Sequence, residues 1–301
     1  MNIGILGAGS FGETHIKILK NIDIFHVQGF YDPDESRSKE IENKFQIKSY
    51  KNLDHLIQKC DAIDIVSATS SHYKMINKVM DYNKHIFVEK PICCLKSETD
   101  SLLQKSEKYN KIIQVGHIER YNPTIQKDEI NSQNIKSIYT KRTGPLNKRN
   151  QNTSIVLDLM IHDIDLIISN ISSTLTKIEA SKTNLSNISD DYIECNLFFQ
   201  NGVNANLIAS RNVNMKNERT IKIHYDKEIL ELDLLNKRRK KIKQDDTIQI
   251  LEYNKESNPL EDEFISFYKA ITNNHKPIVG VKDACAAVNI ALQIDDIIKK
   301  Q

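Results

Sequence analysis

The chain has 301 residues, of which 39% are apolar and 27% charged, with a formal net charge of +2. That length supports two domains with cores of their own, and the near-neutral charge gives no reason to invoke nucleic acid or an acidic membrane as a partner. Cys60, Cys93, Cys94, Cys195 and Cys285 are an odd set without C-x-x-C spacing, which argues against both a disulfide framework and a zinc site, so no metal is expected.

The first part of the chain alternates short apolar runs with longer amphipathic ones. Strands are expected at Ile3 to Leu6, His26 to Tyr31, Ile47 to Tyr50, Ala62 to Ser67, His85 to Val88 and Ile112 to Val115. Helical patterns lie between them, as at Thr14 to Leu19, Ser36 to Phe45, His72 to Met80 and Ser97 to Tyr109. Near-continuous apolar strands alternating with helices predict a parallel sheet covered on both faces, wound by right-handed crossovers into a Rossmann-type α/β domain.

After about Tyr121 the rhythm changes. An apolar helix is expected over Ser154 to Ser169, followed by extended stretches. Asn201-Gly202 and Asp226-Lys227 read as hairpin turns between strands. This predicts an α+β domain with a mainly antiparallel open sheet, closed by helices near Leu260 to Thr272 and Lys282 to Lys299. The division expected is 1–121 for the first domain and 122–301 for the second. The basic run Lys237 to Lys241 reads as a solvated strand end.

Gly7-x-Gly9-x-x-Gly12 follows a strand and opens a helix, and Asp32 ends the next strand. In that context the pattern is a dinucleotide site. Gly7 permits the tight turn, Gly9 lets backbone approach a pyrophosphate and Gly12 lets helix and strand pack closely. The N–H groups around Ser10 and Phe11 then face phosphate at a helix N-terminus. Asp32 is expected on the adenosine ribose, where its charge repels a 2′-phosphate, so NAD is favoured over NADP; Arg37 is the residue that argues the other way. Ser67 and Thr69 end the fourth expected strand and His72 opens the next helix; they are read as lining the nicotinamide side.

Lys90 stands in Glu89-Lys90-Pro91 at the end of a parallel strand, where open α/β sheets place their chemistry. Glu89 is assigned to the cofactor ribose or to support of the turn, and Pro91 to fixing the backbone, with a cis bond as one of its forms. On the expected helix after Ser154, Asp158, His162 and Asp165 recur at helical spacing on one face. A polar stripe on an otherwise apolar helix needs partners. It faces either an internal network or a polar cavity, and a cavity above Lys90 is the reading preferred for Asp158 and His162. Asp163 is read as structural.

With the glycine fingerprint, Ser67-Ala68-Thr69 with His72, Glu89-Lys90-Pro91 and Asp158-x-x-x-His162 in view, the chain resembles the Gfo/Idh/MocA oxidoreductases, the family of glucose-fructose oxidoreductase and inositol dehydrogenase. The resemblance spans nearly the whole chain. The segments Gly116 to Pro123, Arg142 to Pro145 and Asp158 to Asp165 are similar to the branch containing UDP-N-acetylglucosamine 3-dehydrogenases. The segment Asn150 to Ser154 departs from relatives in lacking their glycines.

The resemblance implies that Lys90, His162 and Asp158 carry the oxidation of a secondary alcohol of a sugar or nucleotide sugar, and that the chain forms homodimers or homotetramers. His162, with an ordinary pKa near ~6.5, suits a general base. Lys90 can hydrogen-bond the same oxygen or share its proton, and Asp158 can orient His162 or hold a sugar hydroxyl. Arg120, Tyr121, Asn122 and Arg149 are expected to contact substrate, the arginines by bidentate bonds to carboxylate or phosphate. The alternatives are a dehydrogenase of a free sugar or inositol and a non-catalytic NAD-binding regulator. No apolar run approaches the ~20 residues of a membrane span, and Gly4 and Gly7 break any signal-peptide core, so a cytoplasmic protein is expected.

Overall fold

The computed structural model describes residues 1–125, 130, 133–146, 153–183, 192–212, 215–252 and 257–301. The chain divides into two compact units, Met1–Ile118 with Asn258–Cys285, and Glu119–Ser257 with Ala286–Gln301. The change of unit at 118/119 lies close to the expected 121/122. The segment Asn258–Cys285, expected with the second domain, groups with the first. The reason is apolar: Leu260, Phe264 and Phe267 are buried in one cluster with Ile3, Ile5, Ile16 and Phe87, and exposing any of these rings would cost on the order of 1.5–3 kcal/mol.

In the first unit, β1 (Asn2–Leu6), β2 (His26–Tyr31), β3 (Ala62–Ile65), β4 (His85–Glu89) and β5 (Ile113–Gly116) form a sheet in the order β2-β1-β3-β4-β5. All its pairings are parallel. The expected strand at Ile47 to Tyr50 is reduced to a bridge between Phe30 and Ser49. The helices are α1 (Ser10–Leu19), α2 (Glu35–Phe45), α3 (Leu53–Gln58), α4 (Thr69–Asp81) and α5 (Lys96–Ser106), with α7 (Pro259–Thr272) contributed from late in the chain. Asp34 caps α2 and Asn52 caps α3 through their side chains. Strand order reverses between β1 and β3, and the crevice at the carboxyl ends of those strands is where such sheets bind ligands.

The second unit holds an eight-stranded sheet in the order β13-β12-β11-β10-β6-β9-β8-β7. Its strands are β6 (Ser137–Pro145), β7 (Leu175–Thr183), β8 (Tyr192–Phe199), β9 (Asn204–Asn212), β10 (Glu218–His224), β11 (Glu228–Asp233), β12 (Arg238–Lys243) and β13 (Ile248–Ile250). Every pairing is antiparallel except β6 with β9. Gly202, at a φ of 85°, turns β8 into β9 as the Asn201-Gly202 signal requires. The basic run lies largely on β12, where Lys240 and Lys241 pair with Glu231 and Glu228 of β11, each at 3.0 Å.

The expected helix after Ser154 is broken in two. Ser154 caps its start, its hydroxyl accepting from the N–H groups of Val156 and Leu157. A π-helical turn follows at Val156–Met160, and only then a regular helix, α6 (Ile161–Asn170). Such wider turns recur at functional sites because they rotate side chains off the helical register. The last helix, α8, runs over Val281–Lys299. Among the described residues no helix is long and apolar enough to cross a membrane.

Candidate functional site

In the first unit the glycine turn meets the loop after β3. Gly7 has a φ of +107°, and a Cβ there would lie 2.7 Å from the Ser67 backbone, so both conformation and space require glycine. A Cβ on Gly12 would fall 2.2 Å from the Gly7 carbonyl oxygen, which is how α1 comes so close to β1. Gly9 is different. Nothing lies within 4 Å of the position its Cβ would take, and it begins α1 without a side-chain cap. Ser10 and Phe11 begin α1 beside that opening, at a positive helix end. These residues fit a dinucleotide pyrophosphate.

Asp32 holds this turn from the side. Its two carboxylate oxygens accept from the N–H groups of Ala8 at 2.6 Å and Asp34 at 2.9 Å. Each oxygen keeps a lone pair for a further donor such as a ribose hydroxyl. Arg37 donates through Nε to the Ala8 carbonyl at 2.7 Å, and pairs with Glu13 and Glu40 at 2.7 Å each. Its guanidinium is thereby occupied on every side.

The residues after β3 divide their work. Thr69 opens α4 and is half-buried, and the Ser67 hydroxyl lies 2.6 Å from that of Ser71. His72 does something the sequence did not suggest. It is buried, with Nδ1 2.9 Å from the Pro91 carbonyl oxygen and Nε2 3.0 Å from that of Ser67. Both ring nitrogens meet backbone, so His72 ties the loop after β3 to the loop after β4 rather than lining a cofactor path.

The loop after β4 carries Lys90. It is half-buried, its peptide bond to Pro91 is cis, and its own N–H donates to Glu89 Oε2 at 3.2 Å. Glu89 is buried, and a Cβ on Gly116 of β5 would lie 2.5 Å from Glu89 Oε1; the glycine makes room for the carboxylate. Behind Glu89 lies a group that sequence reasoning missed. His15 of α1 is fully buried, with Nδ1 2.9 Å from Asp64 Oδ2 and Nε2 3.4 Å from Glu89 Oε1. Burial disfavours a charged ring, but the two carboxylates outweigh it and hold His15 up to about 10. The signal was present: Asp64 and Glu89 sit inside apolar strands, and buried carboxylates need a donor.

In the second unit, Asp158 lies on the π-helical turn and its Oδ2 accepts from Arg211 Nη1 of β9 at 2.9 Å. Arg211 Nη2 donates to the Thr153 carbonyl at 2.6 Å. His162, the second residue of α6, is half-buried, as is Asp158. Asp163 is buried and takes bonds of 2.8 to 3.2 Å from Arg142 of β6, which agrees with a structural reading. Glu119 accepts from the other side of Arg142 at 2.9 Å and lies 3.3 Å from Arg219. Burial alone would raise Glu119, yet the two arginines hold it below the usual carboxylate range.

Two of the expected substrate contacts are engaged internally. Arg120 donates to both oxygens of buried Asp165, at 2.6 and 2.8 Å, which takes up the planar fork a ligand would need. Asn122 is buried; its amide donates to Glu119 and to the Leu234 carbonyl, and its oxygen accepts from Thr124 N and Oγ1. That bonding leaves it nothing for a sugar. Tyr121 ends a short 3₁₀ turn and is half-buried. Arg149 lies outside the described residues.

Residues 1–117 match the oxidoreductase family with an NAD-binding Rossmann fold, and residues 131–231 match the Gfo/Idh/MocA C-terminal domain. The chain belongs to the Gfo/Idh/MocA oxidoreductase family. Among its relatives in that family is UDP-N-acetylglucosamine 3-dehydrogenase of Acidithiobacillus ferrooxidans, 26% identical over 239 residues, or 78% of this chain and 75% of the relative. The solved structure of that enzyme superposes with a TM-score of 0.93 at 24% identity, covering 100% of this chain and 98% of the other. Myo-inositol 2-dehydrogenase of Thermotoga maritima is 28% identical over 55% of this chain and 53% of its own. A scyllo-inositol dehydrogenase of Lactobacillus casei with bound NAD(H) and scyllo-inositol has the same fold, with a TM-score of 0.84 at 20% identity over 100% and 97% of the two chains. This Gfo/Idh/MocA chain is therefore an oxidoreductase with a nicotinamide-dinucleotide fold.

Proposed function

We propose that the chain oxidises a secondary alcohol of a nucleotide-linked sugar with NAD, the leading substrate being UDP-N-acetylglucosamine at its C3 hydroxyl. The observation that carries this reading is the likeness to the A. ferrooxidans enzyme over 78% of the chain. The likeness to inositol dehydrogenases supports a second reading, oxidation of a free sugar or inositol.

NAD is favoured over NADP on two grounds. The Asp32 carboxylate beside the glycine turn would accept from ribose hydroxyls and repel a phosphate. Arg37, the cation that would welcome a 2′-phosphate, is already paired with Glu13 and Glu40. Bound NAD supplies the carbon that accepts hydride. The protein's part is to hold the alcohol and receive its proton. His162 is assigned as the base, Lys90 as the group that hydrogen-bonds the same oxygen and stabilises its developing negative charge, and Asp158 as the carboxylate that positions His162 or a neighbouring hydroxyl. Tyr121 remains a candidate sugar contact, as does Arg149. Homodimers or homotetramers through the open sheet of the second unit complete the proposal.

A substrate panel tests it. NADH absorbance is followed with NAD and UDP-N-acetylglucosamine, N-acetylglucosamine, glucose or myo-inositol, each with and without 2-oxoglutarate to reoxidise any cofactor that stays bound. The proposal expects turnover with the nucleotide sugar first. Turnover confined to inositol would select the second reading, and no turnover from folded protein that binds NAD would reject the leading substrate.

A further inference from the structure

A pocket of about 290 Å³ opens on the second unit, lined by Arg142, Arg211 and Arg219 together with Gly144, Leu159 and Asn217. The three arginines come from three neighbouring strands, β6, β9 and β10. In the sheet register Arg219 lies opposite Arg142, and Arg211 opposite Gly144, two residues further along β6. Residues two apart on a strand share a face, so all three guanidinium groups rise from the same side of the sheet. Gly144 stands among them with no side chain.

Like charges set directly opposite across strands destabilise a sheet. Part of that cost is offset: Glu119 takes contacts from Arg142 and Arg219, Asp163 from Arg142, and Asp158 from Arg211. Among the described residues none of these carboxylates lines the pocket, whose polar walls are arginine, asparagine and Thr143, with the Thr143 hydroxyl already donating to the Lys216 carbonyl.

Arg211 carries the second observation. Only 4% exposed, it uses its two Nη groups on Asp158 and Thr153, yet its buried Nε has no hydrogen-bond partner among the described residues. An unpaired buried donor costs about 1–3 kcal/mol, more when charged. Burial also pushes the Arg211 guanidinium below its ordinary range despite Asp158 beside it, so its positive charge is under-compensated. An oxyanion in the pocket would supply the negative charge that this guanidinium lacks. Leu159, in the pocket wall, is the residue after Asp158 on the π-helical turn. The pocket therefore adjoins the turn that carries one of the residues assigned to chemistry.

We propose that this three-arginine pocket binds the phosphate or diphosphate of the substrate, so that the chain acts on phosphorylated or nucleotide-linked sugars rather than on free sugars or inositols. Arginine's planar fork suits phosphate oxygens bidentately. The inference rests on the reading of this unit as the one that holds the sugar, and it assigns the substrate class from residues outside the glycine turn and outside Lys90.

The test is binding, independent of turnover. The protein is titrated by calorimetry with UDP, inorganic pyrophosphate and uridine, for wild type, Arg219→Gln, Arg211→Lys and Arg211→Gln, with circular dichroism confirming that each is folded. UDP and pyrophosphate are expected to bind and uridine not. Arg219→Gln and Arg211→Gln should each weaken both anions at least tenfold, with Arg211→Lys falling between, and raised salt should weaken binding in wild type. Uridine binding as tightly as UDP, or anion affinities unchanged in folded Arg219→Gln and Arg211→Gln, would overturn the proposal. Lys90-dependent oxidation of a phosphate-free sugar as fast as of its phosphorylated form would also overturn it, while leaving the oxidoreductase reading intact. If the arginine-dependent anion binding holds but no sugar is oxidised, the pocket stands and the catalytic reading fails.

Discussion

His15 Nδ1 lies 2.9 Å from Asp64 Oδ2 with both side chains fully buried. The pair sits in the first unit with Glu89, whose other oxygen receives the Lys90 N–H. The ring is held up to about 10 against an ordinary value near 6.5. A histidine raised on folding contributes all of its stabilisation below the unfolded value, and loses it as pH rises through the folded one. Stability should therefore fall progressively between about pH 6.5 and 10. Urea midpoints across that range, for wild type and His15→Gln, check this. The variant should be weaker at pH 7 by roughly 3–5 kcal/mol, the usual cost of breaking a buried pair, and should show a flatter profile. Parallel profiles would remove His15 from the account.

Gly9 and Gly12 should respond oppositely to alanine. At Gly12 the new methyl would meet backbone at 2.2 Å, and the strain should destabilise the fold by about 1–3 kcal/mol. At Gly9 it would meet nothing within 4 Å. Gly9→Ala should keep the wild-type melting temperature, with a change within about 0.5 kcal/mol, yet bind NAD at least tenfold more weakly because the methyl occupies the cradle. Fluorescence titration with NADH beside thermal melts separates the two effects.

His72 links two functional loops by backbone contacts alone. His72→Phe keeps the ring volume but removes the ring N–H that the Ser67 or Pro91 carbonyl oxygen accepts, at a cost of about 1–3 kcal/mol. Because the second of those loops carries Lys90, kcat should fall by an order of magnitude or more while KM for the sugar changes little. Steady-state kinetics beside a thermal melt give the answer; an unchanged kcat would confine His72 to general stability.

Local patterns carried much of the fold into the sequence. The glycines, Asp32 and the strand ends near Ser67 and Glu89 are short-range signals, and their residues stand at the carboxyl ends of parallel strands in one unit. What was hidden depends on distance along the chain or on backbone detail. Arg120 meets Asp165 and Asn122 meets the Leu234 carbonyl, and no local pattern names a partner so far away. Leu260 and Phe264 join the first unit's core although their helix reads like any other amphipathic one. The π-helical turn under Asp158 cannot be read from spacing, because spacing assumes a regular helix. Ile47 to Tyr50 has strand composition but only one bridge to Phe30, too little to continue the sheet.

The central claim is that Lys90 assists oxidation of a sugar alcohol by stabilising the developing negative charge on its oxygen. The direct measurement is NADH formation from NAD and UDP-N-acetylglucosamine by wild type and Lys90→Met, with NAD affinity measured on both proteins. The account predicts turnover in wild type, a loss of at least a thousandfold in kcat in the variant (about 4 kcal/mol of transition-state stabilisation), and NAD affinity within a fewfold of wild type. A folded Lys90→Met protein that binds NAD and turns over at the wild-type rate would contradict it.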